Sequence, residues 1–302
     1  MNQTKHLHPA LIALEKTFQP SQLTKLEDTL LDKYQIELWI KRDDLLHPII
    51  SGNKWRKVKY ILHHALTLGT DTLISMGGSH SNHLHALAYT GRLLGLKTIG
   101  LIRGEATETP TLRDMQHWGM ELNFVSRSEY RLLRQYKQWY ELPNLKSGQY
   151  WLPEGGAQTL ALQGVAELVQ EIDNDYDVLC VPCGTGTTLA GLVGAVAENV
   201  TLIGFAALKN AQFLNADVQT LLPRTVSNWQ INLDYHFGGF AKTNVELLKF
   251  IARFENHTQI PLDPIYTGKM LYALYDLIQK RRFQPQQRII ALHTGGLQGK
   301  RA

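Results

Sequence analysis

Short apolar runs alternate with helix-like segments through most of the sequence, and this alternation restricts the fold more than any other feature. Apolar runs bounded by turn residues predict buried strands, whereas apolar residues at spacings of three and four predict amphipathic helices. Strands are predicted at residues 36–40, 72–76, 98–102, 122–125, 178–182, 201–206 and 289–292. Helices are predicted at residues 54–68, 82–94, 160–172, 186–196, 245–254 and 269–280. Such an order is typical of an α/β fold whose mainly parallel sheets carry helices on both faces.

A polar, tyrosine-rich stretch at residues 126–150 is where the chain is expected to leave one domain for another. We therefore predict two doubly wound domains, a large one from residues 1–50 and 150–302 and a small one, residues 51–149, inserted in it. Ligands of doubly wound sheets bind outside the carboxyl ends of the strands. Functional residues are accordingly expected in the glycine-rich turns that follow strands.

The composition, with 44% apolar and 19% charged residues, is that of an ordinary globular protein. The formal net charge is only +4 and the basic residues are scattered, which argues against a nucleic-acid partner. No apolar run approaches the ~20 residues of a membrane-spanning helix, and residues 1–18 lack an export pattern, so a cytoplasmic protein without a membrane partner is expected. The densest basic stretch, Lys54, Arg56, Lys57 and Lys59, is expected to be mostly solvated helix surface, because Arg56 and Lys59 are three residues apart.

Two cysteines, Cys180 and Cys183, form a lone C-x-x-C motif, which in isolation can be a redox pair or half of a zinc site. They fall in a predicted strand that ends in a turn, whereas a redox pair needs its first cysteine exposed at the start of a helix. Buried packing is therefore the prediction for both cysteines.

The first notable turn, Ser-Gly-Asn-Lys at residues 51–54, opens a predicted helix. Asn53 can cap that helix, and Lys54 would lie at the positive end of the helix dipole beside Arg56 and Lys57. This setting favours a neutral amine, which is the form that condenses with an aldehyde. The alternative is a solvated surface lysine at a helix start.

The second turn, residues 77–83, lies between a predicted strand and an amphipathic helix. Its backbone N–H groups and the hydroxyls of Ser79 and Ser81 can bind an anion such as a carboxylate or a phosphate. Simple packing at a helix start is one alternative. Three histidines within residues 80–85 leave a zinc site as another, although no acidic residue or cysteine stands near them in the sequence.

The third turn follows the predicted strand at residues 178–182 and consists of two glycines and three threonines: Gly184, Thr185, Gly186, Thr187 and Thr188. Glycines let the backbone approach a ligand and threonines add hydroxyl donors, so this turn can bind a phosphate monoester without any lysine or arginine. It lacks the Gly-Lys-Ser/Thr ending of a P-loop. A fourth turn, residues 293–296, follows the last predicted strand.

Together the turns supply a reactive lysine, a phosphate cup and a second anion site. Pyridoxal 5'-phosphate with an amino-acid substrate needs all three, because the aldehyde binds the lysine, the phosphate binds the cup and the substrate carboxylate binds the second turn. Lys54 is therefore the predicted Schiff-base lysine of an enzyme that labilises the α-hydrogen of a small amino acid.

The sequence also resembles the pyridoxal-phosphate enzymes of the tryptophan synthase β fold (fold type II), and within them the 1-aminocyclopropane-1-carboxylate deaminases and D-cysteine desulfhydrases. The resemblance extends from residue 39 to residue 296. It rests on five motifs, at residues 39–44, 51–57, 81–83, 155–156 and 263–269. It implies the two-domain fold of that family, with cofactor binding by the large domain, and a homodimer.

Carried over to this sequence, the resemblance implies that Lys54 forms the internal aldimine with pyridoxal 5'-phosphate and shuttles the α-proton. Asn82 would hydrogen-bond the phenolic oxygen of the cofactor, and Thr294 would contact its pyridine nitrogen. A neutral hydroxyl cannot hold that nitrogen protonated as a carboxylate would, so the ring would be a milder electron sink, which suits loss of a β-substituent.

On the substrate side, the resemblance implies that Ser81 and His83 meet the substrate carboxylate or a transferring proton. Tyr266 would approach the substrate or its leaving group, and its alternative is a tyrosine that merely caps the core. Phe240 would line the substrate pocket where the desulfhydrases have a tyrosine, so that this pocket lacks one hydroxyl.

Two further departures from the family pattern affect the expected activity. Ala291 stands where the cyclopropane-opening deaminases carry a second tyrosine, which argues against ring opening. Residues 296–302 end short of the apolar segment that the family adds after its last glycines, so one edge of the cofactor pocket is expected to be closed differently.

The predicted function is that of a lyase or deaminase that converts a small amino acid with a β-leaving group, such as D-cysteine, to a 2-oxo acid and ammonia. Deamination of 1-aminocyclopropane-1-carboxylate is an alternative. Two others are a pyridoxal-phosphate-binding protein with little turnover and a metal-dependent hydrolase that uses the histidines of residues 80–85.

Overall fold

The computed structural model describes residues 7–301. Residues 1–6 and 302 lie outside the described residues, and with them the ends of the predicted large domain and the first third of residues 1–18, which were compared with export signals. Within residues 7–301, no helix has the length and apolar character of a membrane span.

Ten strands form two separate sheets. The strands are β1 Gln22–Lys25, β2 Glu37–Arg42, β3 Thr72–Gly77, β4 Lys97–Arg103, β5 Met120–Val125, β6 Gln149–Leu152, β7 Val178–Cys183, β8 Thr201–Ala206, β9 Trp229–Asn232 and β10 Arg288–Leu292. The large sheet has the order β1-β2-β10-β7-β8-β9 and the small sheet the order β5-β4-β3-β6. Only the β1–β2 pair is antiparallel among these described strands. The prediction of an α/β fold with mainly parallel sheets is confirmed.

Eleven α-helices connect the strands of the described chain. They are α1 Pro9–Glu15, α2 Thr29–Tyr34, α3 Lys54–Thr67, α4 Asn82–Leu94, α5 Pro110–His117, α6 Arg127–Leu133, α7 Thr159–Gln170, α8 Thr187–Val193, α9 Phe213–Leu221, α10 Val245–Thr258 and α11 Thr267–Gln279. Short 3-10 turns occupy Asp43–Leu45, Glu154–Gly156 and Leu297–Arg301.

Both faces of the large sheet are covered by helices, as successive residues of β10 show. Ile289 and Ala291 pack on one face with residues of α10 and α11, whereas Ile290 and Leu292 pack on the other with residues of α7, α8 and α9. Because side chains alternate across a strand, a strand that is buried on both faces reads as a continuous apolar run. That is why this strand was visible in the sequence.

The small sheet is built from residues 72–152, and the segments on either side of it build the large sheet. The stretch at residues 126–150 holds α6 and the beginning of β6, so the chain is still adding to the small sheet there. The domain limits at residues 50 and 150 stay a prediction. Helix α3 packs closely on α7, since a Cβ at Gly164 of α7 would lie 2.0 Å from the carbonyl oxygen of Arg56.

Candidate active site

The carboxyl ends of strands from both sheets line one cavity of about 1020 Å³. The turns after β7 and β10 come from the large sheet, and the turn after β3 comes from the small sheet. All thirteen residues predicted for the site line this cavity: Lys54, Ser79, Ser81, Asn82, His83, Gly184, Thr185, Gly186, Thr187, Thr188, Phe240, Tyr266 and Thr294. The structure therefore brings the four turns together, while the role of each residue stays a prediction.

Lys54 begins α3 with its amine inside the cavity wall, where Nζ donates to Asn53 Oδ1 at 2.6 Å. Burial lowers the pKa of Lys54 to about 8, and the Asp263 carboxylate partly opposes that shift. The neutral amine was expected from the helix dipole and from Arg56, but burial is the main cause. The side chain of Asn53 does not cap the helix as expected, because its Oδ1 accepts from Lys54 Nζ rather than from a backbone N–H. Its Nδ2 donates to Thr188 Oγ1 at 2.8 Å and joins the first turn to the third.

The first and fourth turns touch through their backbones. Gly52 has a φ of 70°, and a Cβ there would lie 1.8 Å from the carbonyl oxygen of Thr294. The same oxygen accepts a hydrogen bond from the backbone N–H of Asn53 at 3.4 Å. Only glycine fits this position, since both its conformation and the close approach exclude a side chain.

The threonine turn after β7 forms a cup of hydroxyls. Gly186 has a φ of 72° and lies directly before α8, and Thr185 Oγ1 lies 2.8 Å from Thr187 Oγ1. The cup was expected to need no cation, but the structure places Lys57 beside it. A Cβ at Gly155 would lie 3.4 Å from Thr185 Oγ1 and 3.5 Å from Lys57 Nζ, so both groups surround the same point.

Lys57 is buried, and its ammonium makes no hydrogen bond or ion pair with any residue from 7 to 301. Burial, and then the charge of Lys54, lower the pKa of Lys57 well below its ordinary value. A buried cation without a partner is costly unless a ligand supplies the opposite charge. Lys57 and the hydroxyl cup therefore fit a phosphate group.

His83 is held in one tautomer by its neighbours on the small sheet. Ser75 Oγ donates to the carbonyl oxygen of Leu152 at 2.8 Å, so it can only accept from His83 Nε2 at 2.9 Å. Nδ1 of His83 is then an acceptor, and it is buried without a partner among residues 7–301. Burial, followed by the charges of Lys57 and Lys54, lowers the pKa of His83 to about 3. In this neutral tautomer Nδ1 has no hydrogen to donate, and the role of His83 stays a prediction.

The turn after β3 presents Ser79, Ser81 and Asn82 to the cavity. Ser81 Oγ accepts from the backbone N–H of Leu84 at 3.2 Å and caps α4, so its own hydroxyl hydrogen remains available to a ligand. Gln298, in the 3-10 turn at the end of the described chain, donates to Asn82 Oδ1. Asn82 Nδ2 is thereby left to face a ligand.

The motif at residues 263–269 positions Tyr266. Asp263 accepts from the backbone N–H groups of Ile265, Tyr266 and Thr267 at 2.8–2.9 Å and from the Thr267 hydroxyl at 2.7 Å. Burial, followed by Asp263 and Glu154, raises the pKa of Tyr266, which stays a phenol at neutral pH. A Cβ at Gly184 would lie 3.2 Å from the Tyr266 hydroxyl, so this oxygen faces the cup.

Comparison with known proteins agrees with this geometry. The family model described as "Pyridoxal-phosphate dependent enzyme" matches residues 15–295. The chain belongs to this family.

Individual relatives cover nearly the whole enzyme. A protein of Pyrococcus horikoshii, provisionally named 1-aminocyclopropane-1-carboxylate deaminase, is 29% identical over 97% of this chain and 96% of its own. The mitochondrial bifunctional D-cysteine desulfhydrase/1-aminocyclopropane-1-carboxylate deaminase of Arabidopsis thaliana is 30% identical over 87% of this chain and 73% of its own. The crystal structure of an ACC deaminase homologue superposes with a TM-score of 0.81 at 27% identity and covers 97% of both chains. The fold is thus the tryptophan synthase β-like fold, as predicted, and the cofactor is pyridoxal 5'-phosphate.

The sequence left alternatives open for the histidines of residues 80–85 and for the two cysteines, and the structure distinguishes between them. The histidines do not converge on a metal, because His85 Nε2 lies 2.9 Å from Asp114 Oδ2 whereas His83 bonds to Ser75. No cluster of metal-binding side chains occurs within residues 7–301. Both cysteines are free and buried as predicted, and burial raises the pKa of Cys183 to about 12.

The expectation that Arg56, Lys57 and Lys59 are mostly solvated is wrong, since all three are buried. Helical spacing alone gave no sign of the carboxylates that come from distant parts of the chain. The position of Lys57 beside the threonine cup was missed because the two are brought together only by the fold. The part that Asp263 plays in shaping the site was also missed, although Asp263 begins the motif at residues 263–269. Its carboxylate bonds to the loop that carries Tyr266.

Proposed function

We propose that the enzyme removes the α-hydrogen and a β-leaving group from a small amino acid similar to D-cysteine and produces a 2-oxo acid and ammonia. The observation that carries the proposal is that one cavity gathers the partly buried Lys54, a threonine cup beside the buried Lys57, and a turn with serines and an asparagine. The relatives named for D-cysteine desulfhydration and cyclopropane deamination support this reaction class.

Bound pyridoxal 5'-phosphate supplies the electron sink that makes the α-hydrogen of an amino acid acidic. The phosphate would lie among Thr185, Thr187 and Lys57, and Asn82 Nδ2 would donate to the phenolic oxygen. Thr294 would face the pyridine nitrogen. The nearby carboxylate of Asp263 is engaged by the loop of residues 265–267 and is not offered to the ring.

Lys54 is the residue that moves the α-proton in this proposal. Its pKa of about 8 leaves a fraction of neutral amine at neutral pH, which is the form that would hold the cofactor and, when free of it, would accept a proton. The hydrogen bond to Asn53 fixes the direction of the amine. The same amine would hold the cofactor between turnovers.

The substrate would lie between the turn after β3 and the ring of Tyr266. The hydroxyl hydrogens of Ser79 and Ser81 would bind its carboxylate. Tyr266, a phenol at neutral pH, can donate a proton to the leaving group. Phe240 lies with its ring centroid 6.2 Å from that of Tyr266 and gives this side of the pocket an apolar surface.

The sequence-based alternatives, cyclopropane deamination and cofactor binding with little turnover, belong to the same site. Ala291 is fully buried in the core between β2 and β7 and does not line the cavity, so its position offers no second phenol. A homodimer and a cytoplasmic location complete the proposal, as the family resemblance and the sequence pattern suggest.

The decisive experiment follows 2-oxo acid release from a panel of D- and L-amino acids while the absorbance of the bound cofactor is recorded. The wild-type protein should show a Schiff-base band, borohydride should fix the cofactor on Lys54, and D-cysteine should be consumed. The Lys54→Ala variant should lose covalent attachment and turnover, whereas Lys249→Ala, at an exposed lysine of α10, should retain both. Fixation at another lysine would overturn the assignment. A cofactor spectrum that responds to amino acids without any product would favour the low-turnover alternative.

A further inference from the structure

Four arginines line the mouth of the cavity on the side of the small sheet: Arg103, Arg127, Arg131 and Arg134, here called the arginine face. Arg103 is the last residue of β4. Arg127 begins α6 two residues after β5 ends, and Arg131 and Arg134 follow at spacings of four and three. Residues at these spacings share one side of a helix. Strands and helix therefore direct four guanidinium groups toward one opening.

The arginine face has too few carboxylates to neutralise it. Glu154 pairs with Arg134 at 2.7 Å and also accepts from the Tyr130 hydroxyl. Arg103 lies over the Tyr130 ring, 5.8 Å from its centroid. Arg127 and Arg131 make no ion pair or hydrogen bond with any residue from 7 to 301.

The rest of the cavity does not compensate for this charge. Among its lining residues are seven lysines and arginines but only two carboxylates, Glu154 and Asp263, and Asp263 is engaged by its own loop. Like charges at Arg127 and Arg131, four residues apart on one helix, oppose helix formation. Stability of the fold thus gives no reason for this arrangement, whereas an anionic ligand does.

We propose that the arginine face binds an anionic group carried by the β-substituent of the substrate, such as a phosphate, a sulfonate or a carboxylate. This inference rests on the proposed β-elimination and defines its substrate class. The substrate's own carboxylate would have a separate place at the turn after β3, and in the small sheet β4 lies next to β3 and β5 lies next to β4. A second anionic group on the same molecule would then face the neighbouring strand ends, where guanidinium groups can bind it in a bidentate manner.

The reaction balances as an elimination followed by hydrolysis. The Cα–H bond and the bond from Cβ to the substituent break, and the substituent leaves with the bonding electron pair. Water supplies the carbonyl oxygen of the 2-oxo acid, and the nitrogen leaves as ammonium. The arginine face neutralises the charge of the departing anion and so favours its departure.

The test compares O-phosphoserine with O-acetylserine, which have anionic and neutral oxygen-linked leaving groups, each as both enantiomers. The double variant Arg127→Gln/Arg131→Gln should lower kcat/KM for O-phosphoserine by about tenfold or more, mainly through KM, because each lost charge weakens binding. The kcat/KM for O-acetylserine should change by less than about twofold. Higher ionic strength should raise the KM of the wild type for O-phosphoserine but not for O-acetylserine, since exposed charges are screened by salt.

The matched control is Lys97→Gln/Arg113→Gln, which removes the same charge at exposed positions of the small-sheet region that do not line the cavity. It should leave both substrates unaffected. Equal losses for both substrates in the arginine-face variant, or no loss for either, would overturn the inference.

Failure of the proposed reaction itself gives a different result, namely no 2-oxo acid from any amino acid. In that case calorimetric titration with O-phosphoserine still decides the role of the arginine face. Binding at least about tenfold weaker in the Arg127→Gln/Arg131→Gln variant than in the wild type supports the anion site, and equal binding, or none in either protein, rejects it.

Discussion

Helix α3 carries basic residues on two sides, and those on only one side are bonded to carboxylates. On the side away from the cavity, Arg56 makes paired bonds to Asp43 at 2.7 and 2.9 Å and to Glu171 at 2.7 Å. Lys59 on the same side pairs with Glu15 and Glu167. On the cavity side, neither Lys54 nor Lys57 has a carboxylate bonded to it among residues 7–301.

The pKa shifts follow this division. Burial opposes the charge of Arg56, but Asp43 and Glu171 outweigh it and raise the pKa of Arg56. For Lys54 and Lys57 burial prevails, and their pKa values fall. Arg56 and Lys59 thus hold segments of the chain together through ion pairs. Lys54 and Lys57, on the same helix, remain able to interact with a ligand in the cavity.

The sharpest test of the paired side is Arg56→Met. The free energy of unfolding should fall by about 3–5 kcal/mol, because the buried Asp43 carboxylate would lose its cation while Glu171 retains only Lys41. Urea denaturation of the cofactor-free protein measures this change. Arg127→Met, at an exposed and unpaired arginine, should change it by less than about 0.5 kcal/mol. A loss below about 1 kcal/mol at Arg56 would contradict the comparison.

Lys57→Met tests the cavity side of α3 and should not lower the free energy of unfolding. The cofactor-free protein should be as stable as the wild type or more stable, because a buried amine without a partner is removed. Affinity for pyridoxal 5'-phosphate should fall by about 10- to 100-fold, since charge-assisted hydrogen bonds to the phosphate are lost. Fluorescence titration and urea denaturation measure the two effects. Lys59→Met is the control with the reverse pattern, and a destabilised Lys57→Met protein with full affinity would refute the division.

The smallest expected effect is the pH dependence of Lys54. Attachment of the cofactor to the cofactor-free protein should become faster by about tenfold per pH unit below pH 8 and level off above it, because only the neutral amine reacts. The folded pKa of about 8 lies below the ordinary value of 10.5, so the folded state binds fewer protons between these values. This group therefore makes the free energy of unfolding rise with pH from about 8 to 10.5. Stopped-flow absorbance gives the first profile, and a midpoint near 10.5 would mean an ordinary solvated lysine.

The interior strands were predictable, whereas three of the four edge strands were not. All seven predicted strands exist with bounds within two residues of the observed ones. The three that the sequence pattern missed, β1, β6 and β9, have four residues each and lie at sheet edges. A short edge strand needs no continuous apolar run, so it leaves little periodic signal. Helix α6 did leave a signal, the capping box of Ser126 and Glu129.

The site was predictable where glycine-rich turns follow interior strands, as at Gly184 and Thr294. It was not predictable where a side chain's task depends on distant partners. Sequence spacing made Arg56 and Lys57 look alike, and only the position of Asp43 and Glu171 separates them. The arginine face was equally unpredictable from the sequence. Arg103 and Arg131 are far apart in the chain, and they line one cavity because of the order of the strands in the small sheet.

The contact of Gly52 with Thr294 has a consequence for ligand exchange. That backbone contact and the bond from Asn53 to Thr188 join three turns of the cavity directly to one another. Their conformational entropy is lost when the chain folds, so it is not lost again when the cofactor arrives. The protein without its cofactor should accordingly keep a rigid, ready-shaped cavity and reload from dilute pyridoxal 5'-phosphate without refolding.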